Sequence, residues 1–511
     1  MNENPLLKRK QELINATTPE VAQKVFYDKD MFTPRERLDK LLDAGSFAEL
    51  DVFARHQYSD FGMDRREIPA DGVITGFGEI NGRKVCVYAQ DFAALGGTYG
   101  EMHGKKICAL MDLAAEAQVP IIGICHSGGL RLHETLGPEK MFGHLFRRNT
   151  LYSGVVPQIS IILGIVAGGQ AYSPGLTDFI LTTESSSTYI AGPAFVQAQT
   201  GQEISDQELG GAPMHARVSG LVDLMEKKEE DILSQARRLM DFLPLSWQSP
   251  VPRVECADDP GRAEPSLDQV APQMSFMPFD MHKVINAVVD QGDFLETKPL
   301  YAANMITGFA RLGGRSVGIM ANQPKVLGGV IDIKAAEKGA RFVRFCDAFN
   351  IPVITFQDSP AYLIGRDMER GGMIYRGAKL LHAYAEATVP VITVIVRKAY
   401  AGSYIAMGSQ YIGADLVYAW PGAEISSVAP KTAASVIFRK EIAQAKDPAE
   451  AQELLDYYYQ NYVNPIRAAS LRHINDIIRP RDTRPTLIKA LELLINKKKL
   501  VPAKKHGNIP L

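Results

Sequence analysis

The sequence lacks an excess of either charge. Lys plus Arg number 56 and Asp plus Glu 58, for a net charge of −2. A surface built for nucleic acid carries a clear basic surplus, so no nucleic-acid partner is expected. Cysteine is scarce: Cys86, Cys108, Cys125, Cys256 and Cys346. These are odd in number and never close-spaced, which argues against a disulfide framework and a zinc ribbon, and no metal site is expected. Long apolar runs are missing too. The most apolar stretch, residues 155–166, is broken by Pro157, Gln158, Ser160 and Gly164 and reads as a buried strand. The opening MNENPLLKRK has no apolar core behind its charges, unlike a secretory signal. A cytoplasmic enzyme is the expectation. Paired carboxylates, a G-x-S-x-G elbow and a phosphate-binding Walker sequence are all lacking. Cys125 and His126 are adjacent, but neighbours on a strand point to opposite faces, which argues against a Cys–His couple.

What the sequence does have is a long internal repeat. Ile74-Thr75-Gly76-Phe77 recurs as Ile306-Thr307-Gly308-Phe309, 232 residues later. Gly82-Arg83 recurs as Gly314-Arg315 and Leu95-Gly96-Gly97 as Leu327-Gly328-Gly329, at the same offset. The offset holds to Ser127 and Ser359, then slips to 233 and still pairs Gly169 with Gly402. Two homologous domains are expected, at 1–255 and 265–511. The segment 251–272, rich in Pro and Asp, reads as their linker. Within each copy short apolar runs alternate with helical spacing. Strands are expected at 85–89, 120–125 and 158–166, then at 317–321, 353–356 and 391–396. Helices are expected at 101–117 and 335–349. That alternation predicts an α/β fold with mostly parallel sheets.

Each copy also places small residues directly after two buried strands. These are Ser127-Gly128-Gly129 and Ala167-Gly168-Gly169, then Ser359-Pro360-Ala361 and Ala401-Gly402-Ser403. Small residues between a strand and a helix leave backbone N–H groups bare. Two such groups from two loops can converge on one oxygen and stabilise charge developing there. The same residues also suit tight turns and close packing. Two oxyanion holes of this kind would serve a transfer between two carbonyl compounds. Lys105-Lys106 and Arg147-Arg148 are candidate cation pairs for a phosphorylated substrate.

At these positions the chain resembles the carboxyltransferase subunits of biotin-dependent acyl-CoA carboxylases and decarboxylases. The resemblance runs through TPRERL (33–38), DGVITGFG (71–78), GGTYGEMHGKKI (96–107) and SGVVPQIS (153–160). It continues through SPGLTDF (173–179), ANQPKVLGG (321–329), KGARFVRFCDAFNIP (338–352) and RKAYAGSY (397–404). The nearest likeness is to the propionyl-/methylmalonyl-CoA group. It implies two tandem homologous crotonase-like (ClpP/crotonase) domains, the first for acyl-CoA and the second for biotin. It implies a homo-oligomer, typically a hexamer, with active sites at dimer interfaces.

The resemblance also assigns roles. N–H groups of Gly129, Leu130, Gly168 and Gly169 would hold the acyl carbonyl, with Gly128 and Tyr172 lining the substrate site. Those of Ala361, Tyr362, Gly402 and Ser403 would hold the biotin ureido oxygen, with Ala429 beside it. Ile405 is a candidate floor for the acyl pocket. No A-M-K-M biotinylation sequence occurs, since Ile405-Ala406-Met407-Gly408 lacks the lysine. Biotin is therefore expected on a partner, a carboxyl carrier or a biotin carboxylase subunit. A sodium-pump decarboxylase component would meet a membrane through such a partner. Several positions depart from the family pattern. His126 stands where the family has Asp, Leu130 where it has Ala, and Ala361 where it has Gly. Two glycines are lost between Ser426 and Thr432. These changes leave three readings: carboxyl transfer with an altered acyl-CoA, decarboxylation of another acyl-CoA such as glutaconyl-CoA, and a non-catalytic assembly subunit.

Overall fold

The computed structural model describes residues 4–272, 276–445 and 447–510. The chain divides into two compact units, Met1–Pro250 and Val251–Leu511.

The first unit contains an eight-stranded sheet. Its strands are β1 (Ala48–Leu50), β2 (Val73–Ile80), β3 (Arg83–Gln90), β4 (Ile121–Ser127), β5 (Gln158–Ala167), β6 (Phe179–Thr183), β7 (Ser187–Tyr189) and β8 (Leu224–Glu226). Their order is β1-β2-β3-β4-β5-β6-β8, and β7 pairs with β5. The first two pairings are antiparallel and the rest parallel. The antiparallel turn between β2 and β3 is Asn81-Gly82, both at positive φ, the conformation that suits a two-residue hairpin. Helix Glu101–Ala117 lays Ile107, Leu110, Met111 and Ala114 on the sheet. Their spacing of three and four residues forms one apolar face. The helix stops at Gln118, which takes a left-handed cap. The N-terminal lead-in is anchored through Arg37 on helix Pro34–Leu41. Its guanidinium donates to both carboxylate oxygens of Glu229, at 2.9 and 2.6 Å, with both side chains buried.

The second unit repeats this plan. Its strands are β9 (Phe294–Thr297), β10 (Met305–Leu312), β11 (Arg315–Asn322), β12 (Val353–Ser359), β13 (Val391–Tyr400), β14 (Leu416–Ala419), β15 (Glu424–Ser426) and β16 (Asp476–Ile477). The order is β16-β14-β13-β12-β11-β10-β9, with β15 on β13. The bounds of β2, β3 and β4 map onto β10, β11 and β12 at an offset of 232, and those of β5 onto β13 at 233. The sheet register breaks at the same place in both halves, before Ser127 and before Ser359. These are two tandem α/β domains of one plan.

The segment expected to link them is instead part of the second unit. Arg253 bridges to Arg315, the Val254 N–H donates to the Gly314 carbonyl, and Leu267 is buried in that unit's core. Asp258 holds Arg262 with two hydrogen bonds. Pro and Asp here serve local turns and ion pairs, which look like linker composition in sequence.

Candidate functional site: paired backbone donors

In the first unit the loop after β4 is fixed by an isolated parallel bridge between Tyr99 and Leu130. Tyr99 N–H donates to the Gly129 carbonyl at 2.7 Å, and Arg131 N–H to the Tyr99 carbonyl at 3.0 Å. A parallel bridge of this form uses the flanking groups and leaves the central residue's own N–H outside it. The Leu130 N–H has no protein acceptor among the described residues. The Gly129 N–H, by contrast, donates to the Ser127 hydroxyl at 3.2 Å. Gly129 has φ +104, and a Cβ there would stand 3.2 Å from the Ala167 carbonyl oxygen. Gly129 therefore supplies the turn and the close approach to the second loop, while Leu130 supplies the open donor.

The second unit builds the same joint. Ile331 bridges to Tyr362, the Ile331 N–H donates to the Ala361 carbonyl, and the Leu363 N–H donates to the Ile331 carbonyl. The Tyr362 N–H is left over in the same way. Ala361 stands outside the left-handed region, so an Ala in place of Gly carries no strain there.

The second donor in each unit follows β5 and β13. Gly169 and Gly402 lie in the first turns of Gly168–Ala171 and Ala401–Ala406. First-turn N–H groups have no intrahelical acceptor. The two loops of each unit come together. A Cβ on Gly168 would lie 3.9 Å from the Gly129 Cα, and one on Gly402 would lie 3.5 Å from the Tyr362 ring. The Tyr362 hydroxyl donates to the Gly377 carbonyl at 3.2 Å, and burial pushes its pKa up. Gly168 and Ala401 occupy equivalent turns with φ +67 and +50.

Strand ends are braced from below by the LGG turns. A Cβ on Gly97 would stand 2.2 Å from the His126 carbonyl oxygen, and one on Gly329 2.4 Å from that of Asp358. The Gly128 N–H donates to the Gly96 carbonyl at 2.8 Å, which takes Gly128 out of the donor set. Arg131, fully buried, holds the first loop through Asp71 at 2.5 Å and Glu134 at 2.9 Å. His103 donates from Nδ1 to the Asp71 carbonyl, so its Nε2 accepts from the Gln90 amide.

The other expected residues fall as follows. Ser403 uses its hydroxyl on the Tyr400 carbonyl at 2.7 Å, leaving only backbone for a ligand. Tyr172 and Ile405 are equivalent positions one turn beyond the glycine pairs, 50% and 41% exposed. That exposure rules out core packing as the reason for Ile405. Ala429 is the exposed residue before helix Pro430–Ile437, beyond β15. The cation pairs are largely committed elsewhere. Buried Lys106 binds the Ala70 and Val73 carbonyls, and Arg148 binds both oxygens of Asp112. Lys105 pairs with Glu101 at 2.8 Å. Lys105 and Arg147 keep the exposure the phosphate reading needs, Lys105 beside the Glu101 carboxylate. Burial raises the Cys125 thiol to about 12, and its neighbour is Tyr88 rather than the His126 ring. Among the described residues no cluster of His, Cys, Asp or Glu forms a metal site, and no helix is long and apolar enough to cross a membrane.

The sequence-level reading missed the open N–H of Leu130 as distinct from that of Gly129. Its signal was the pairing of Tyr99 with Ile331 at the repeat offset, one bridge partner from each copy.

Comparison with known proteins gives the family. Residues 26–509 match the carboxyl transferase domain family. The propionyl-CoA carboxylase carboxyltransferase subunit of Haloferax mediterranei is 47% identical, covering 95% of this chain and 94% of its own. The methylmalonyl-CoA decarboxylase subunit alpha of Veillonella parvula is also 47% identical, covering 94% and 93%. Among solved structures, transcarboxylase 12S with methylmalonyl-coenzyme A and methylmalonic acid bound, described as a hexamer assembly, superposes with a TM-score of 0.96. It is 43% identical and covers 99% of this chain and 97% of its own. Backbone donors duplicated in two crotonase-like units, and a family match spanning nearly all 511 residues, lead to one conclusion: this chain belongs to the carboxyl transferase family, the acyl-CoA carboxyltransferases that depend on biotin.

Proposed function

We propose that this chain moves a carboxyl group between biotin, carried by a partner protein, and the α-carbon of a short acyl-CoA of the propionyl/methylmalonyl type. The first unit takes the acyl-CoA. The N–H groups of Leu130 and Gly169 point their hydrogens at the thioester oxygen, where negative charge gathers when the α-carbon becomes nucleophilic. Donors fixed in advance stabilise that charge without reorganising. The second unit takes biotin, with Tyr362 and Gly402 as donors to the ureido oxygen. Biotin supplies the carbon–nitrogen bond through which the carboxyl group enters or leaves. Tyr172 and Ile405 shape the walls above the donors. The observation that carries this reading is the repeated bridge that leaves one N–H open in each unit. That the second unit keeps its open donor, with Ala361 unstrained, favours a working enzyme over a non-catalytic assembly subunit.

Assembly as a homo-oligomer, a hexamer as in transcarboxylase 12S, with each active site completed by a second copy, belongs to the same proposal. So do a cytoplasmic location and a separate biotin carrier.

The test measures release of propionyl-CoA from methylmalonyl-CoA in the presence of free biotin, beside malonyl-CoA and glutaconyl-CoA. Methylmalonyl-CoA is the expected substrate. Leu130→Pro and Tyr362→Pro, which remove the two N–H donors, each lower kcat by about 100-fold, the effect of losing one oxyanion donor. Leu130→Ala, which keeps the N–H, stays within a few-fold of the parent. Equal losses in the Ala and Pro variants of a folded protein would sink the donor assignment, and turnover of glutaconyl-CoA alone would sink the substrate class.

A further inference from the structure

The two units differ sharply at one equivalent joint, directly beneath the first loop. In the second unit Asp358 is the penultimate residue of β12, and its carboxylate accepts from Arg397 at 2.8 and 3.1 Å and from the Lys398 N–H at 3.1 Å. In the first unit the equivalent of Asp358 is His126, that of Arg397 is Gly164, and that of Pro324 is Phe92. The backbone around the joint is unchanged. The His126 N–H donates to the Gln90 amide oxygen at 3.0 Å, as the Asp358 N–H does to Asn322 at 3.3 Å. The side chains replace an ion pair by a stack. The imidazole lies on Phe92 with ring centres 4.1 Å apart and planes 13° apart. It fills the space over Gly164, where a Cβ would stand 2.4 Å from Nε2.

Two buried atoms in this joint have no hydrogen-bond partner, His126 Nδ1 and Arg37 Nη1. They belong to the same locality. Arg37 Nη2 donates to the carbonyl of Leu163, next to Gly164, at 3.3 Å. The Phe26 ring lies 5.9 Å from the Arg37 guanidinium carbon and 6.4 Å from the His126 ring. The Arg37 charge also helps hold the imidazole neutral, behind burial as the larger cause. Arg37, which already pairs with Glu229, thus brings one unpartnered N–H to the locality of the position that bears a carboxylate in the other unit.

We propose that His126 is a positioning residue for the Leu130 donor, acting as a neutral aromatic wedge between Phe92 and Gly164, in a seat where Arg37 can equally hold a carboxylate. The inference rests on Leu130 being a donor. The wedge fixes the end of β4 against residues 92–97, and the loop that follows inherits its position. Imidazole proton chemistry takes no part.

The experiment compares His126→Leu, His126→Asp and His126→Asp/Arg37→Met in the methylmalonyl-CoA assay, with melting followed by circular dichroism. His126→Leu, which loses the flat stacking ring, lowers kcat at least tenfold while KM for the acyl-CoA changes less than twofold. His126→Asp returns kcat to within threefold of the parent, because Arg37 gains an acceptor. The double variant loses that recovery. Full activity in His126→Leu, or a folded His126→Asp as poor as His126→Leu, overturns the proposal. Failure of His126→Asp to fold also overturns it, since the seat is then not one for an anion. Leu130→Pro, run alongside, separates the two levels. If it retains activity, the donor assignment fails; if it loses activity while the His126 variants keep theirs, only the wedge fails.

Discussion

At the scale of single residues, Ala401 is the most informative position. It holds φ +50 where its equivalent in the first unit is Gly168 at +67. A left-handed alanine costs about 1 kcal/mol relative to glycine. Strain of this kind persists where the surroundings over-determine the backbone, and here the turn presents Gly402. Ala401→Gly is expected to stabilise the second unit by about 1 kcal/mol in chemical denaturation. The same change loosens the Gly402 N–H and, on the proposed assignment of acyl-CoA to the first unit and biotin to the second, lowers transfer to biotin while acyl-CoA binding stays constant. A drop in stability would show that the alanine methyl contributes packing that outweighs the strain. The residue identities at this scale were only partly legible. His126, Leu130 and Ala361 stood out against the family pattern, but what each does depends on long-range partners. The Ser127 hydroxyl captures the Gly129 N–H, Gly164 receives the imidazole, and no local pattern announces either.

At the scale of elements, the LGG turns act as struts. In both units the middle of the turn carries left-handed residues, and its last glycine abuts the carbonyl at the end of the next strand. A methyl group at 2.2 or 2.4 Å from a carbonyl oxygen has no soft neighbour to displace. Gly97→Ala and Gly329→Ala are each expected to cost about 3 kcal/mol of stability, the range of steric and backbone strain combined. Each is expected to lower kcat through a shifted strand end, Gly97 in the unit proposed for acyl-CoA and Gly329 in the unit proposed for biotin. Wild-type stability in either variant would count against the strut. These elements were legible early because a repeat is its own control. Strands around 85–89, 158–166 and 391–396 and the helix 101–117 lie where the apolar spacing puts them. The hairpins β2–β3 and β10–β11 were not foreseen, although Asn81-Gly82 is a strong turn signal between two alternating runs. The segment 251–264 was misjudged because its anchors, Gly314, Gln291 and Arg484, lie far along the chain.

At the scale of the whole molecule, the shifted histidines of the two units move in opposite senses. In the first, burial drives His126 down to about 2 and His103 well below its ordinary value. Both stay neutral in the fold while the unfolded chain takes up protons near pH 6.5. Their contribution is complete above pH 6.5 and is lost as pH falls below it, by about 1.4 kcal/mol per pH unit for each group. In the second unit hydrogen bonds to Glu296 at 2.9 Å and Asp280 at 2.8 Å raise His282 to about 8. That contribution is complete below pH 6.5 and is lost as pH rises through about 8. Calorimetry at pH 5.5, 7 and 8.5 is expected to show the first unit melting earlier in acid and the second earlier in base. His282→Gln removes the alkaline loss and leaves the acid one. Parallel shifts of both units with pH would contradict this.

The open N–H groups of Leu130 and Tyr362 carry a genetic consequence. A backbone donor is encoded by no particular codon, because every amino acid except proline provides one. The part of the molecule assigned to the charge can therefore stay constant while the side chains around it drift, and a lineage can retune its pocket without first losing its chemistry. Duplication compounds this freedom, since two copies of one donor joint can diverge toward two different carbonyl compounds. The substitutions His126, Leu130 and Ala361 are the kind of change such a scaffold absorbs.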